Sequence, residues 1–262
     1  MYGRRARVGV VVPATNTTVE PEFAAHAPAG VAVLATRVPV AEVDRPEDKV
    51  ASLLAMRDGV DAAVAQLASA GVDAVAYACT SGSFLAGLEE DRAMCARLTE
   101  RHGVPVVTAS SALTTALTAL SANRVAVATP YVAAVADGAA DYLARAGYEV
   151  VSRNDLHVLS NLAKGRLEPT ASYLAARDLD VTGADAVVIS CTNWRTLDAL
   201  VAVETDTGRA AVSSNLATLW ALLRLAGVDG PLSPGSALMS LPLPESARTG
   251  WAVPVGTGVR GG

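Results

Sequence analysis

Cysteine and histidine are scarce in this sequence: its 262 residues hold three of each. Each scarcity excludes something. An odd number of cysteines without Cys-x-x-Cys spacing supports neither a disulfide framework nor a zinc knuckle, so the thiols are expected to be free. His26, His102 and His157 are scattered, with no acids at ligand spacing and no H-E-x-x-H, so no metal site is expected. A Walker loop, a G-x-G-x-x-G after the first strand and a G-x-S-x-G elbow are also missing, which leaves chemistry without a cofactor. Asp, Glu, Arg or Gly breaks every candidate run of about 18 apolar residues, so no membrane span is expected. The apolar stretch Val8 to Val12 behind Arg4, Arg5 and Arg7 is too short for a signal peptide, and a cytoplasmic location is expected. Basic residues number 21 against 26 acidic ones, giving a net charge of -5 with no Lys/Arg block, so nucleic acid is not an expected partner.

What is present is a composition that folds: 51% hydrophobic and 18% charged residues. Short β-branched runs alternate with alanine- and leucine-rich stretches of helical period. Strands are expected at 7–12, 32–37, 74–78, 104–108, 124–128, 149–153, 186–190 and 211–213. Helices are expected at 46–70, 88–102, 111–120, 131–146, 168–179 and 194–207. The alternation argues for an α/β fold of mostly parallel sheets covered by helices.

An internal repeat organises these elements. Asp73 to Thr80 reads DAVAYACT and Asp185 to Thr192 reads DAVVISCT, while RVGVVVPATN from Arg7 is echoed by RVAVATPYVA from Arg124. Each pair is a strand running into equivalent turn residues. We therefore expect two duplicated units related by a pseudo-twofold axis, 1–115 plus 210–262 and 116–209, with the tail returning to complete the first. Ligands in open α/β sheets bind beyond the carboxyl ends of strands, so the pocket is expected between the units, where both Cys-Thr turns would meet.

The candidate chemistry centres on Cys79 and Cys191. A lone cysteine ending a buried strand is ordinarily a small core residue, but its recurrence at the equivalent position of both halves favours function. Each is expected at a helix mouth, where the dipole lowers a thiol pKa. Thr80 and Ser81 on one side, and Thr192 on the other, would offer backbone N–H groups and hydroxyls to a carboxylate or enolate oxygen. Cys95 has no counterpart and is assigned to packing. In the segment Pro13 to Glu22, Thr17 and the glutamates read as helix-start residues, whereas Asn16 reads equally as a cap or as a carboxylate ligand. Tyr131 occupies the matching loop of the second half and could donate a phenolic hydrogen bond.

The segments VGVVVPATNTTVEPEF (Val8 to Phe23), YACTSGSF (Tyr77 to Phe84), ATPY (Ala128 to Tyr131), SNLA (Ser160 to Ala163) and SCTNWRT (Ser190 to Thr196) span most of the chain. Together they resemble the maleate cis-trans isomerase and arylmalonate decarboxylase branch of the aspartate/glutamate racemase superfamily. The resemblance implies two Rossmann-like parallel-sheet units, no cofactor, a small carboxylate or dicarboxylate substrate and a homodimer. It implies Cys79 as nucleophile toward an alkene and Cys191 as proton-transfer partner, with Asn16, Tyr131 and Asn161 binding carboxylate. Maleate to fumarate isomerisation is the expected reaction. The run Thr80 to Ser83 is more like the decarboxylase, which carries glycine in place of Cys79. The alternatives are therefore racemisation or decarboxylation of a 2-substituted acid through an enediolate, and a non-catalytic carboxylate-binding protein.

Overall fold

The structure, a computed structural model, describes residues 2–230 and 235–251. Its first half runs β1 (Ala6–Pro13), α1 (Val19–His26), β2 (Val31–Val38), α2 (Lys49–Ala55), α3 (Val60–Ser69), β3 (Ala74–Tyr77), α4 (Thr80–Phe84), α5 (Leu88–His102), β4 (Val106–Thr108) and α6 (Ala109–Ala119). The second runs β5 (Arg124–Thr129), α7 (Ala133–Arg145), β6 (Glu149–Asp155), α8 (Asn161–Gly165), α9 (Pro169–Arg177), β7 (Ala186–Ile189), α10 (Leu200–Thr207), β8 (Ala210–Ser213) and α11 (Ser214–Leu225), followed by α12 (Glu245–Gly250). The strands pair as β2-β1-β3-β4 and β6-β5-β7-β8, all parallel. The two α/β sheets thus share one topology. β3 and β7 are buried at every position, as continuous apolar runs covered on both faces should be.

This strand order reverses direction beside β1 and β5, so the crevice at the carboxyl ends of β1, β3, β5 and β7 is open to a ligand. Cys79 and Cys191 follow β3 and β7, while Asn16 and Tyr131 follow β1 and β5.

The tail departs from expectation. β8 completes the second sheet, pairing Ala186 with Ala210 through Ile189 with Ser213, rather than returning to the first. Without it the outer edge of β7 would bury unpaired backbone groups. Among the described residues α11 does cross over, packing on α6 and against β1 and β3, and Pro244, Ala247 and Trp251 border α5 and α6. Ser214 to Arg224 are all buried, so this helix needs cover on every side and finds it between the halves. The expected division at 115/116 falls inside α6, and the chain instead passes between the sheets at 120–123. Of the tail assigned to the first unit, 231–234 and 252–262 lie outside the described residues.

Two expected helices are shorter than their periodicity suggests. The stretch 46–70 breaks into a 3-10 turn, α2, a second 3-10 turn at Met56–Gly59 and α3. The stretch 194–207 is helical only from Leu200, because Glu22 of the other half captures the N–H groups of Thr196 (2.6 Å) and Leu197 (3.0 Å) and holds the preceding turns out of the helix. Among the described residues no helix is long and apolar enough to cross a membrane.

Candidate active site

A narrow cavity of about 30 Å³ lies where the strand ends of the two halves meet, beyond the carboxyl ends of the parallel strands where open α/β sheets bind ligands. Cys79, Cys191, Asn16, Thr80, Ser81, Tyr131, Asn161 and Thr192, the eight residues singled out in the sequence, all line it. Val40, Leu53 and Met56 form an apolar wall, and Lys164 and Asn193 complete the polar one.

Cys79 caps the start of α4. Its Sγ accepts from the Gly82 N–H at 3.4 Å and lies 3.9 Å from the Ser81 hydroxyl. A side chain at Gly82 would place its Cβ 2.3 Å from Tyr77 Oη and 3.1 Å from the thiol, so only glycine lets this N–H approach the sulfur. Cys191 has no helix behind it: turns follow, and α10 begins nine residues later at Leu200. The expectation of a helix mouth therefore fails for Cys191, for the reason given by Glu22.

The expected lowering of both thiol pKa values is also reversed. Burial pushes Cys79 and Cys191 up, and this outweighs the contacts that favour thiolate. For Cys79 those contacts are the Gly82 N–H and the Ser81 hydroxyl. For Cys191 they are the Lys164 ammonium first, then the Asn193 N–H, the Tyr131 hydroxyl and the Lys49 ammonium. Cys95 is buried and free, away from the cavity lining, and burial pushes its thiol far higher.

Asn16 is both a cap and a pocket donor. Its Oδ1 accepts from Thr18 N (2.9 Å) and Val19 N (3.0 Å), starting α1 in the role that Thr17 was expected to share. With the oxygen committed, Nδ2 is a buried donor without a partner. Thr80 Oγ1 and Tyr131 Oη are likewise buried and make no hydrogen bond, although Tyr131 Oη lies near enough to Cys191 to favour its thiolate. Buried polar groups are normally paired, so three idle donors lining one cavity mark the place of an acceptor-rich ligand. Tyr131 is held by an edge-to-face contact with Phe84 at 5.9 Å, and its ring lies 5.5 Å from the Lys164 ammonium.

Asn193 and Thr192 fasten the loops together. Asn193 accepts from Thr17 N (3.0 Å) and Thr18 Oγ1 (3.2 Å) and donates to the Asn161 carbonyl (2.7 Å), joining loops of both halves. Thr192 Oγ1 donates to the Ala78 carbonyl at 2.9 Å, so its hydroxyl serves the framework rather than an incoming ligand.

Sequence reasoning missed the two lysines. Lys164 lines the cavity, and Lys49, fully buried, is close enough to have its charge felt by both thiols. Lys49 falls in the first turn of the expected helix 46–70 and Lys164 in a stretch with no expected element, so neither position drew attention. The signal that could have found them is rarity, since the chain has two lysines against 19 arginines.

Fold and site thus define a paired-thiol α/β enzyme whose pocket is shared between two duplicated sheets. The family described as Arylmalonate decarboxylase matches residues 8–239, and the chain belongs to it. It is 31% identical over 243 residues to the maleate isomerase of Pseudomonas putida, covering 89% of this chain and 97% of that relative. Two solved structures superpose closely at 28% identity over 90% of this chain. One is a Pseudomonas putida maleate isomerase variant with maleate (TM-score 0.84, 97% of that chain). The other is a Nocardia farcinica maleate cis-trans isomerase mutant with a covalently bound succinylcysteine intermediate (TM-score 0.82, 98% of that chain).

Proposed function

We propose that this protein is a maleate cis-trans isomerase that interconverts maleate and fumarate, with Cys79 as nucleophile and Cys191 as proton-transfer partner. The observation that carries this reading is two buried free thiols, from equivalent strand ends, lining one cavity beside three idle hydrogen-bond donors. The relatives named above, one of them holding a succinylcysteine, support it.

In this mechanism the Cys79 thiolate adds to one alkene carbon and the π pair moves toward the other carboxylate. The Cys191 thiol protonates the remaining alkene carbon, leaving a succinyl thioether and a Cys191 thiolate. The former double bond is now single and rotates. Cys191 then takes a proton back from that carbon, the C–S bond breaks, and the trans alkene leaves with both cysteines restored. No electrons are gained or lost, so the addition needs no cofactor. Asn16, Thr80, Tyr131 and Asn161 hold carboxylate, and donors aimed at the charge developing on it favour the addition.

Proton NMR in deuterium oxide tests this. Maleate should give fumarate with the wild type, while Cys79→Ser and Cys191→Ser should each lose at least about a thousandfold in kcat. Wild-type turnover by both variants would sink the assignment. Carbon dioxide release or α-deuteration of a 2-substituted acid, without alkene isomerisation, would instead identify the enediolate chemistry of a decarboxylase or racemase. A cytoplasmic homodimer is the expected state, which light scattering and cell fractionation check.

A further inference from the structure

Lysine occurs twice in this chain, at 49 and 164, whereas arginine occurs 19 times. Most of the arginines that form ion pairs do so on the surface, as at Arg45, Arg92, Arg145 and Arg177. Both lysines are buried, with 0% and 4% of their surface exposed, and they come from opposite halves, at the start of α2 and in α8. Long charged side chains are rarely buried without a partner. Two from separate elements, one lining the cavity and the other near enough to feel the first and both thiols, call for a reason.

Their surroundings do not neutralise them. Lys49 Nζ makes no hydrogen bond, and its nearest acid, Glu42 Oε2, is 3.9 Å away. Both Glu42 oxygens are already occupied, by Asn161 N at 3.1 Å and Leu162 N at 3.0 Å. Lys164 forms no ion pair among the described residues, and its ammonium rests 5.5 Å from the Tyr131 ring centroid at the cavity wall. Two cations therefore share one carboxylate, and Lys164 disfavours the charge on Lys49. An uncompensated buried charge is costly, and an anion entering the cavity is the way to offset it.

The rest of the lining sharpens the point. Asn16 Nδ2, Thr80 Oγ1 and Tyr131 Oη are neutral donors, sufficient to hold one carboxylate. The lysines supply charge beyond that. Building on the isomerase reading, we propose that Lys49 and Lys164 form a cationic end of the pocket that selects dianions. In this arrangement Lys164 meets the second carboxylate directly, and Lys49 adds its field from behind. The substrate class is then small alkenes with a carboxylate at each end, and acids with an aryl or alkyl group there are rejected.

Calorimetry with succinate and butyrate isolates this claim, since both have four carbons, neither has an alkene, and they differ by one carboxylate. The wild type should bind succinate at least about tenfold more tightly, the low end of what a charged hydrogen bond contributes. Lys164→Met should lose about tenfold or more for succinate with little change for butyrate, and Lys49→Met should lose less. Because only two lysines exist, selective 13C labelling gives two side-chain signals. The Lys164 Cε signal should move with succinate and stay still with butyrate. Melting temperatures no lower than wild type would show that the variants fold, since Lys164→Met removes a buried charge without an ion pair among the described residues and Lys49→Met one whose carboxylate partner is 3.9 Å away and held by two N–H groups. Equal wild-type affinity for both acids, binding of neither, or equal weakening of both by Lys164→Met would overturn the proposal. Neither ligand can be isomerised, so the two readings fail separately: inactivity on maleate with succinate selectivity intact removes only the isomerase assignment, and unselective binding by an active enzyme removes only the lysine role.

Discussion

Thr192 Oγ1 donates a hydrogen bond to the Ala78 carbonyl oxygen at 2.9 Å, joining the residue after one thiol to the residue before the other. The two cysteine loops belong to different sheets, and this bond fixes their spacing. In Thr192→Val the shape is kept and the Ala78 carbonyl loses this donor. A buried carbonyl stripped of a partner costs about 1–3 kcal/mol, which urea denaturation should register. We expect kcat to fall further than that stability loss would suggest, because the thiols must attack and protonate neighbouring carbons in register. Unchanged kcat would show that the loops hold their spacing without this bond.

Asn16→Asp separates the two roles of one side chain. Aspartate keeps an oxygen for Thr18 N and Val19 N, so α1 should start normally and the denaturation midpoint should move little. The idle Nδ2 donor becomes a carboxylate oxygen facing an anionic substrate. We expect kcat/KM to fall by about thirtyfold or more, roughly 2 kcal/mol. A large stability loss with kcat/KM preserved would assign Asn16 to capping alone.

Glu22 gives the fold a pH dependence. It holds Thr196 N, Leu197 N and Asn215 Nδ2 across the boundary between the halves, yet burial pushes it up to about 7, from an ordinary 4.5. The folded state therefore keeps this proton to higher pH than the unfolded chain does. The stability so contributed is complete below about 4.5 and is lost as pH rises through about 7. The full difference is on the order of 3 kcal/mol. Asp91, which burial pushes up to about 6 despite hydrogen bonds from Tyr142 and Thr108, acts in the same direction. Denaturant midpoints measured from pH 5 to 7.5 should fall, and Glu22→Gln should flatten part of that slope.

Ligand binding should follow Lys49. Burial and the nearby Lys164 lower its pKa to about 8, opposed by Glu42, Cys191 and Cys79. As pH rises through about 8 the ammonium loses its proton and its pull on a dianion. Succinate affinity, measured from pH 6.5 to 9, should therefore weaken toward the alkaline end. Lys49→Met should show a shallower slope, leaving the contributions of Lys164 and the thiols. An identical slope in the variant would exclude Lys49 as its source.

Much of this site was legible beforehand because duplication repeats a chemical setting in the sequence itself. DAVAYACT and DAVVISCT announced equivalent strand ends, and those strands are β3 and β7. The Pro13 to Asn16 turn and Tyr131 could be found for the same reason. Local chemistry also determined the alternation of strands and helices, since parallel strands buried on both faces must be apolar throughout. Tertiary structure decided what depends on residues far apart in the chain. Neither the partner of β8 nor the loss of helix at 194–199 can be read locally, because an open edge at β7 fixes one and a carboxylate 174 positions from Thr196 fixes the other. The thiols carry the same lesson: local sequence suggested helix mouths that would favour thiolate, and burial by both halves raised their pKa values instead. Nothing local singles out Lys49 and Lys164, and only the fold encloses them. Electrostatics depends on distance through space and on the exclusion of water, and only the folded chain determines those.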